Sequence, residues 1–247
     1  MSPDLELALR LADAAEAISL ARFRSRDLVV ETKPDRTPVT EADTEVEHEL
    51  RAMLGTERRR DAILGEEQGA SGKGRRRWIL DPIDGTRNYS RGIPVWATLI
   101  ALEEEGRVVL GVVSAPALHR RWWAERGGGA HAGGDQVHVS AVRRPEEAVL
   151  SFALEQPLPG LAARAWHARA YGDFWSHMLV AEGAIDGAID AIGVSVWDLA
   201  AVQVIVEEAG GRFTDFAGEH RIDGGSAISS NGLLHAELLE AVGELER

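Results

Sequence analysis

The most informative stretch of the sequence reads Trp78-Ile79-Leu80-Asp81-Pro82-Ile83-Asp84-Gly85-Thr86. Its apolar start predicts a buried strand, and the residues after it predict a loop at the end of that strand. Asp81 and Asp84 can converge there on one hard cation, with the carbonyl of Ile83 facing the same way. Carboxylates, carbonyls and water are the ligands that Mg²⁺ takes in proteins. The stretch indicates a metal site, although an Asx-type turn in which both acids cap backbone groups explains the same letters.

Gly85 and Thr86 extend this interpretation to an anionic substrate, because two successive N–H groups beside a glycine can hold a phosphate oxygen. The chain has 27 Lys and Arg against 40 Asp and Glu, a net charge of −13. That balance argues against a nucleic-acid partner, which needs clustered cations. Bound divalent cations can still make an anionic substrate acceptable. The basic runs 58–60 and 75–77 are accordingly predicted to be solvated loops.

The composition predicts a globular protein, since 45% of the 247 residues are hydrophobic. The sequence contains no cysteine, which excludes disulfides, thiolate metal sites and cysteine nucleophiles. No apolar run approaches the ~18–20 residues that cross a bilayer. The start of the chain is polar and unlike a signal peptide. We therefore expect a cytoplasmic protein that has no membrane partner.

Helical and strand patterns alternate along the chain, which predicts a mixed α+β class rather than a bundle or a sandwich. Helices are predicted at about Asp4–Phe23, Ala42–Leu54, Asp173–Glu182, Trp197–Ala209 and Leu233–Leu245. Strands are predicted at Trp78–Leu80, Ala97–Leu102, Val108–Val113, Trp122–Ala124, Val137–Val139, Val149–Ala153, Ile185–Ile189, Arg212–Thr214 and Ala227–Ser229. We predict one domain, 1–247. A composition change near 143–147 predicts a junction between two subdomains of about 1–144 and 145–247.

Further acids lie beside apolar segments. Glu66 and Glu67 follow Leu64-Gly65, Asp43 begins a predicted helix, and Asp198 stands at the head of an apolar helix. A helix N-terminus favours negative charge, so Asp43 and Asp198 can be simple caps, and Glu67 can be an exposed loop acid. Caps alone explain the repeated pattern poorly, which favours a shared metal site.

Several motifs resemble the signatures of the inositol monophosphatase family, in the family's order and spacing. They are Thr40–Asp43, Gly65–Glu67, Asp81–Tyr89, Trp197–Ala201, and Glu208–Gly211 followed by Thr214-Asp215. The resemblance covers nearly the whole chain. It implies a lithium-sensitive type of phosphomonoesterase that depends on Mg²⁺. It also implies a layered α-β-α-β-α fold and, in many members, a homodimer.

The resemblance also implies roles for individual residues. The metal ligands that it implies are Glu66, Asp81, the Ile83 carbonyl, Asp84 and Asp198, with Asp43 as a weaker and more distant partner. Thr86 with Glu66 orients the attacking water, and the backbone from Ile83 to Thr86 holds the phosphate. Two or three Mg²⁺ ions are implied, and Mn²⁺ is an alternative. Two such ions ~3.5–4 Å apart can activate water and stabilise the leaving oxygen.

The catalytic set implied for this mechanism is Glu66, Thr86 and Asp84. A covalent phosphoenzyme is not needed. Asp84 or Asp198 as the nucleophile is the weaker alternative, because each is already committed to a cation. The histidines are scattered and lack ligand spacing, so they receive no catalytic role.

Substrate choice is expected to depend on residues 166–198, where this chain departs from inositol-type members. Those members have an acid seven residues before the counterpart of Asp198, but Ala191 stands there in this chain. Asp190, one place away, can substitute after a one-residue insertion. Asp173 suits a cationic substrate, since a carboxylate bonds an ammonium or imidazolium strongly. An N-cap role explains Asp173 as well.

Tyr171 and Trp175 can stack on a flat ring, although core packing explains both equally. Four stretches resemble actinobacterial histidinol-phosphate phosphatases: Pro94–Ala97, Val113–Leu118, Arg120–Ala124 and Tyr171–Phe174. This implies hydrolysis of histidinol phosphate in histidine biosynthesis. The expected substrate-binding residues are Ile83, Asp84, Gly85, Thr86, Arg169, Tyr171, Asp173, Asp190 and Asp198. An inositol or broad sugar phosphatase, and a non-catalytic phospho-ligand-binding module, remain alternatives.

Overall fold

The computed structural model describes residues 1–34, 36–155 and 158–243, and its helices and strands alternate along the chain. The helices are α1 (Pro3–Arg22), α2 (Glu41–Glu57), α3 (Thr86–Ser90), α4 (Pro159–Arg164), α5 (Asp173–Ala181), α6 (Val196–Glu208) and α7 (His235–Gly243). The strands are β1 (Val30–Thr32), β2 (Pro38–Thr40), β3 (Ala62–Gly65), β4 (Gly69–Ser71), β5 (Arg76–Asp84), β6 (Ala97–Glu104), β7 (Arg107–Ala115), β8 (Arg120–Glu125), β9 (Ala130–Ala132), β10 (Asp135–Val137), β11 (Val149–Ala153), β12 (His167–Arg169), β13 (Gly187–Asp190), β14 (Arg212–Thr214) and β15 (Ala227–Ser230).

Two large sheets organise the described residues, besides the small β1–β2 hairpin. The larger sheet has eight strands in the order β10-β9-β8-β7-β6-β5-β3-β4, and it is antiparallel apart from the parallel β3–β5 pair. The smaller sheet has five strands in the order β12-β11-β13-β15-β14. There β11 runs parallel to β12 and β13. The strands predicted at Ala97–Leu102 and Val108–Val113 are present as β6 and β7, which pair as a hairpin across residues 104–106.

The helices form three layers around these sheets. Helices α1 and α2 pack on one face of the larger sheet, α5 and α6 lie between the two sheets, and α4 and α7 cover the outer face of the smaller sheet. Successive side chains of β5 point to opposite faces of the sheet and so enter two different hydrophobic cores. Trp78 and Leu80 pack towards α1 and α2, while Ile79 faces α6. Helix α6 is buried from Leu199 to Val206, as a helix between two sheets must be. The expected α-β-α-β-α fold is confirmed.

Several boundaries differ from the sequence-based prediction. Helix α1 begins at Pro3, one residue before the predicted start at Asp4, and its N-cap is Ser2. Ser2 Oγ accepts the Leu5 N–H at 3.1 Å. A proline in the first turn of a helix loses no hydrogen bond, which explains the earlier start. The strand expected at 137–139 ends at Val137 instead. The last helix is described only to Gly243, so the expected end at Leu245 lies outside the described residues.

The prediction that 75–77 is a solvated loop was wrong. Arg76 and Arg77 begin β5 and are only partly exposed. Arg76 Nη2 lies 2.8 Å from Asp4 Oδ2, and its Nε lies 3.2 Å from Asp61 Oδ2. Ion pairs therefore join the start of the chain to the larger sheet. None of the described helices combines the length and the apolar character that crossing a membrane requires.

Candidate active site

The end of β5 is irregular, and this irregularity brings Asp81 and Asp84 together. In a regular strand, residues three apart point to opposite faces of the sheet. Strand β5 pairs with β6 up to Asp81 and again at Asp84, and the register shifts between them. Pro82 lies within this bulge, where the missing N–H of proline costs no ladder bond. As a result Asp81 and Asp84 reach the same side, at 1% and 7% exposure.

Asp198 joins the same cluster from the first turn of α6. Its Oδ2 accepts the N–H of Ser195 at 2.6 Å, in a capping box. Ligand atoms of Asp81, Asp84 and Asp198 all lie within 4.8 Å of one another. Asp198 is thus both a helix cap and a member of a carboxylate cluster, so the two interpretations of this residue hold together.

Burial and mutual repulsion make this cluster hard to ionise without a cation. Burial, followed by the charges of Glu66 and Asp84, raises the pKa of Asp81 well above its usual value. Burial and the neighbouring Asp173 raise the pKa of Asp84 in the same way. Burial raises the pKa of Asp198 to about 7. Like charges held this close favour protonation or a bound cation.

The residues present fit a divalent metal ion. Oδ1 of Asp81 is buried and has no hydrogen-bond partner among the described residues. An unpaired buried carboxylate oxygen is costly, and a cation would compensate it. Three carboxylates form a hard donor set of the kind that Mg²⁺ and Mn²⁺ bind.

Thr86 lies directly after Gly85, whose φ of 84° turns the chain from β5 into α3. A left-handed φ of this kind suits glycine, which has no Cβ to clash. Thr86 Oγ1 lies 2.9 Å from the Ile83 carbonyl oxygen and 3.1 Å from Asp43 Oδ1. The Ile83 carbonyl, an expected metal ligand, therefore contacts the Thr86 hydroxyl.

Asp43 lies behind Thr86 at the start of α2. It is fully buried, and its Oδ2 accepts the Thr40 N–H at 2.8 Å and the Thr40 hydroxyl at 2.5 Å. Burial raises the pKa of Asp43 to about 6, and the hydrogen bonds from Thr40 oppose that rise. Asp43 is thus a cap, as the alternative interpretation holds, and it also contacts the Thr86 hydroxyl.

Glu66 and Glu67 approach the cluster from the turn after β3. Lys33 Nζ lies 2.7 Å from Glu66 Oε1 and 2.6 Å from Glu67 Oε1. Burial raises the pKa of Glu67 to about 7, and Lys33 opposes that rise. The expectation that Glu67 is an exposed loop acid was wrong, since its side chain is only 10% exposed.

A second group of polar residues lines the same cleft. Asp173 opens α5 with a φ of 49°, and the N-cap of that helix is Gly172 rather than Asp173. Asn88 Nδ2 donates to Asp173 Oδ2 at 3.3 Å. Asp190 is 7% exposed, and burial raises its pKa to about 7. Burial raises the pKa of Asp173 too.

His177 is a cleft residue that sequence patterns did not single out. It is buried, its Nδ1 lies 2.7 Å from Ser229 Oγ, and its Nε2 lies 4.0 Å from Asp190 Oδ2. Burial lowers the pKa of His177 to about 4, so the ring is neutral at pH 7. Spacing in the sequence could not reveal it, because its partners come from distant strands.

These groups face one cleft of about 380 Å³, whose walls include Glu66, Asp81, Ile83, Asp84, Gly85, Thr86, Arg87, Asp173, His177, Asp190 and Asp198. Among the described residues that line it, Arg169 and Tyr171 do not occur. Arg169 is exposed on β12. The ring of Tyr171 packs edge-on against Trp175 at 5.4 Å. Substrate binding by Arg169 and Tyr171 stays a prediction.

Comparison with known proteins identifies the family of the chain. A profile described as "Inositol monophosphatase family" matches residues 1–247. The chain belongs to the inositol monophosphatase family. It is 52% identical over 251 residues to the histidinol-phosphatase of Mycobacterium tuberculosis, covering 96% of each chain. It is 49% identical to the histidinol-phosphatase of Streptomyces coelicolor, covering 96% of this chain and 95% of that one.

Solved structures share this fold over nearly the whole chain. The extragenic suppressor protein suhB from Bartonella henselae superposes with a TM-score of 0.91 at 30% identity, over 98% of both chains. The layered architecture is therefore shared over 98% of the chain.

Proposed function

We propose that this protein is a Mg²⁺-dependent phosphomonoesterase that hydrolyses histidinol phosphate to histidinol and inorganic phosphate. The observation that carries the proposal is the buried cluster of Asp81, Asp84 and Asp198, with one carboxylate oxygen unpartnered among the described residues. The full-length similarity to two histidinol-phosphatases supports the substrate.

Asp81, Asp84 and Asp198 would hold the metal, and Glu66 would contribute from the neighbouring turn. When bound, the divalent ions lower the pKa of water and stabilise the leaving oxygen. We propose Mg²⁺ in two or three copies, with Mn²⁺ as a substitute. The backbone from Ile83 to Thr86 would then contact the phosphate oxygens at the start of α3.

Thr86 is proposed to hold the attacking water. A hydroxyl has one hydrogen, and donation to the Ile83 carbonyl at 2.9 Å or to Asp43 Oδ1 at 3.1 Å would leave the Thr86 oxygen free to accept a bond from water. If the Ile83 carbonyl bound a metal ion, Asp43 would remain as the acceptor that directs the Thr86 hydroxyl. Glu66, which lines the same cleft, would accept a proton from that water.

Asp173 and Asp190 are proposed to bind the cationic side of the substrate. Histidinol carries an amine that is protonated at neutral pH, and buried carboxylates bind such a group strongly. Both acids line the cleft but stand outside the metal cluster. Because burial raises the pKa of each, a bound ammonium would favour their ionised form.

A phosphate-release panel tests this proposal. The substrates are histidinol phosphate, inositol 1-phosphate, fructose 1,6-bisphosphate and adenosine 3′,5′-bisphosphate, each with Mg²⁺ and with excess chelator. We expect the largest kcat/KM for histidinol phosphate and loss of activity with chelator. A preference for inositol 1-phosphate would show that an inositol phosphate, and not histidinol phosphate, is the substrate. Absence of phosphate release from every ester would favour a phospho-ligand-binding module instead.

Family membership supports three further proposals: a homodimer, a cytoplasmic location and a place in histidine biosynthesis. The homodimer is tested by size-exclusion chromatography with light scattering. A mass of one chain, 26.8 kDa, at micromolar concentration would contradict it. The biosynthetic role is tested by complementation of a histidine auxotroph that lacks its histidinol-phosphatase.

A further inference from the structure

Glu47 is a fully buried carboxylate in the middle of α2. It follows Asp43 by one helical turn, and residues four apart share one face of a helix. A charged side chain in this environment needs partners, because an unpaired buried charge is strongly destabilising. Two partners of Glu47 are backbone N–H groups of the turn that carries Glu66, and a third is Arg51 on α2 itself.

The carboxylate of Glu47 accepts two backbone N–H groups of that turn. Oε2 accepts from Glu67 N at 2.7 Å, and Oε1 accepts from Gln68 N at 3.0 Å. Arg51 Nε donates to Oε1 at 2.7 Å, which completes the charge pairing. Charge-assisted bonds of this kind are about twice as strong as neutral ones. The backbone directly after Glu66 is therefore tied to α2.

Gly65 makes this attachment possible. A Cβ placed on Gly65 would lie 2.2 Å from Oε1 of Glu47 and 2.4 Å from its carboxyl carbon. Any side chain at position 65 would displace the carboxylate from the turn. The glycine before Glu66 is explained by the space that Glu47 occupies.

We propose that Glu47 is a positioning residue that fixes residues 65–68 and thereby holds Glu66 at the metal cluster. This inference rests on the proposed metal-dependent function. Asp43 and Glu47 lie on the same face of α2. Asp43 orients the Thr86 hydroxyl, and Glu47 orients the turn that carries Glu66. Glu47 is not among the described residues that line the cleft.

The first test measures Mg²⁺ binding to metal-free protein by isothermal titration calorimetry. Groups that orient metal ligands typically change metal affinity by ~10–100-fold when removed. We therefore expect Glu47→Ala to raise the Mg²⁺ Kd about tenfold or more, and Glu47→Gln to raise it less. The half-saturating Mg²⁺ concentration for histidinol phosphate hydrolysis should rise in parallel.

Asp186 supplies a matched control. It is also a buried carboxylate, at 4% exposure, and accepts the Val149 N–H at 2.7 Å in the smaller sheet. Asp186→Asn should lower the melting temperature comparably but leave the Mg²⁺ Kd within about twofold. If both variants change the melting temperature alone, Glu47 is a structural residue and the inference is wrong.

A double-mutant cycle separates Glu47 from a general role of the turn. Gly65→Ala should raise the Mg²⁺ Kd in the parent but add little in the Glu47→Ala background, where the carboxylate is gone. Equal effects of Gly65→Ala in both backgrounds would overturn the inference. A parent protein that binds no Mg²⁺ would instead remove the proposed function and this inference together.

Discussion

The backbone N–H of Phe174 donates a hydrogen bond of 2.6 Å to Oδ2 of Asp84. This bond joins the first turn of α5 to a carboxylate of the metal cluster. Asp173, which is proposed to bind the substrate amine, is the neighbour of Phe174 in that turn. The distance between the proposed metal site and the proposed amine site is thus set by one short contact. A substrate must match that spacing to reach both.

Asp84→Asn is expected to lower kcat for histidinol phosphate by at least ~10³-fold. The substitution removes the negative charge of a carboxylate that is proposed to bind the metal. The amide oxygen can still accept the Phe174 N–H, so the fold should persist. Phosphate release and circular dichroism check the two statements. Unchanged kcat would remove Asp84 from the site, and loss of the native spectrum would make Asp84 a structural residue.

Asp81→Asn is expected to stabilise the metal-free protein while it abolishes most activity. Burial and neighbouring charges raise the pKa of Asp81, so removal of its charge relieves repulsion in the empty cluster. We expect a higher melting temperature without Mg²⁺ and a smaller increase on addition of Mg²⁺ than the parent shows. Differential scanning fluorimetry with chelator and with Mg²⁺ measures both. A lower melting temperature in chelator would contradict the proposed repulsion.

The metal-free protein should lose stability as the pH rises from about 5 to 8. The pKa of Asp43 is raised to about 6, and those of Asp190 and Asp198 to about 7, from 3.8. Between these values the three acids bind more protons in the folded chain than in the unfolded chain, so unfolding becomes easier as the pH rises. The pKa values of His177 and His235, lowered from 6.5 to about 4, oppose this trend below about pH 6.5, but the acids outweigh these two rings.

One pKa unit corresponds to ~1.4 kcal/mol, and ~1 kcal/mol shifts the melting temperature of a chain of this size by ~2–4 °C. We therefore expect a fall of at least ~5 °C between pH 5 and 8, which saturating Mg²⁺ reduces. Thermal melts in chelator across this range test the sign. A melting temperature that rises with pH would show that these acids are not held as the structure has them.

Asp173→Asn is expected to raise KM for histidinol phosphate at least ~10-fold and to leave inositol 1-phosphate hydrolysis nearly unchanged. Asparagine is the suitable replacement, because the φ of 49° at this position suits Asn and Asp better than alanine. Steady-state kinetics on both esters provide the measurement. Equal losses on the two esters would mean that Asp173 supports the cleft rather than selects the substrate.

Thr86→Val is expected to lower kcat by about 10²–10³-fold with little change in KM, because the hydroxyl is proposed to direct water rather than to bind the ester. Thr86→Ser, which retains the hydroxyl, should recover most of the activity. A Thr86→Val enzyme with normal kcat would show that the contact between Thr86 and Asp43 serves the fold alone.

Local patterns in the sequence predicted much of the fold and the metal cluster. Strand β11 was predicted with its observed ends, and the Asp81–Thr86 stretch pointed to the site. Such features depend on residues that are neighbours along the chain, so they can be predicted from the sequence. Asp198 was also found locally, because an acid at the head of an apolar helix is conspicuous.

Features that depend on distant contacts were missed. Glu47 in the middle of a helix is typical of a solvated face, and only the packing of the turn after β3 buries it. Arg76 looked like part of a basic loop, because its partner Asp4 lies 72 positions away in the chain. His177 likewise gains its place from Ser229, which follows 52 positions later. Sequence spacing carries no direct information about such pairs.

The shift in register between Asp81 and Asp84 also bears on protein engineering. An ideal strand carrying the same letters would present one of these two acids to the opposite side of the sheet. Transfer of these two acids to a designed scaffold therefore requires the irregular strand end as well as the side chains. On a perfectly regular strand, only one of the two carboxylates would reach the site.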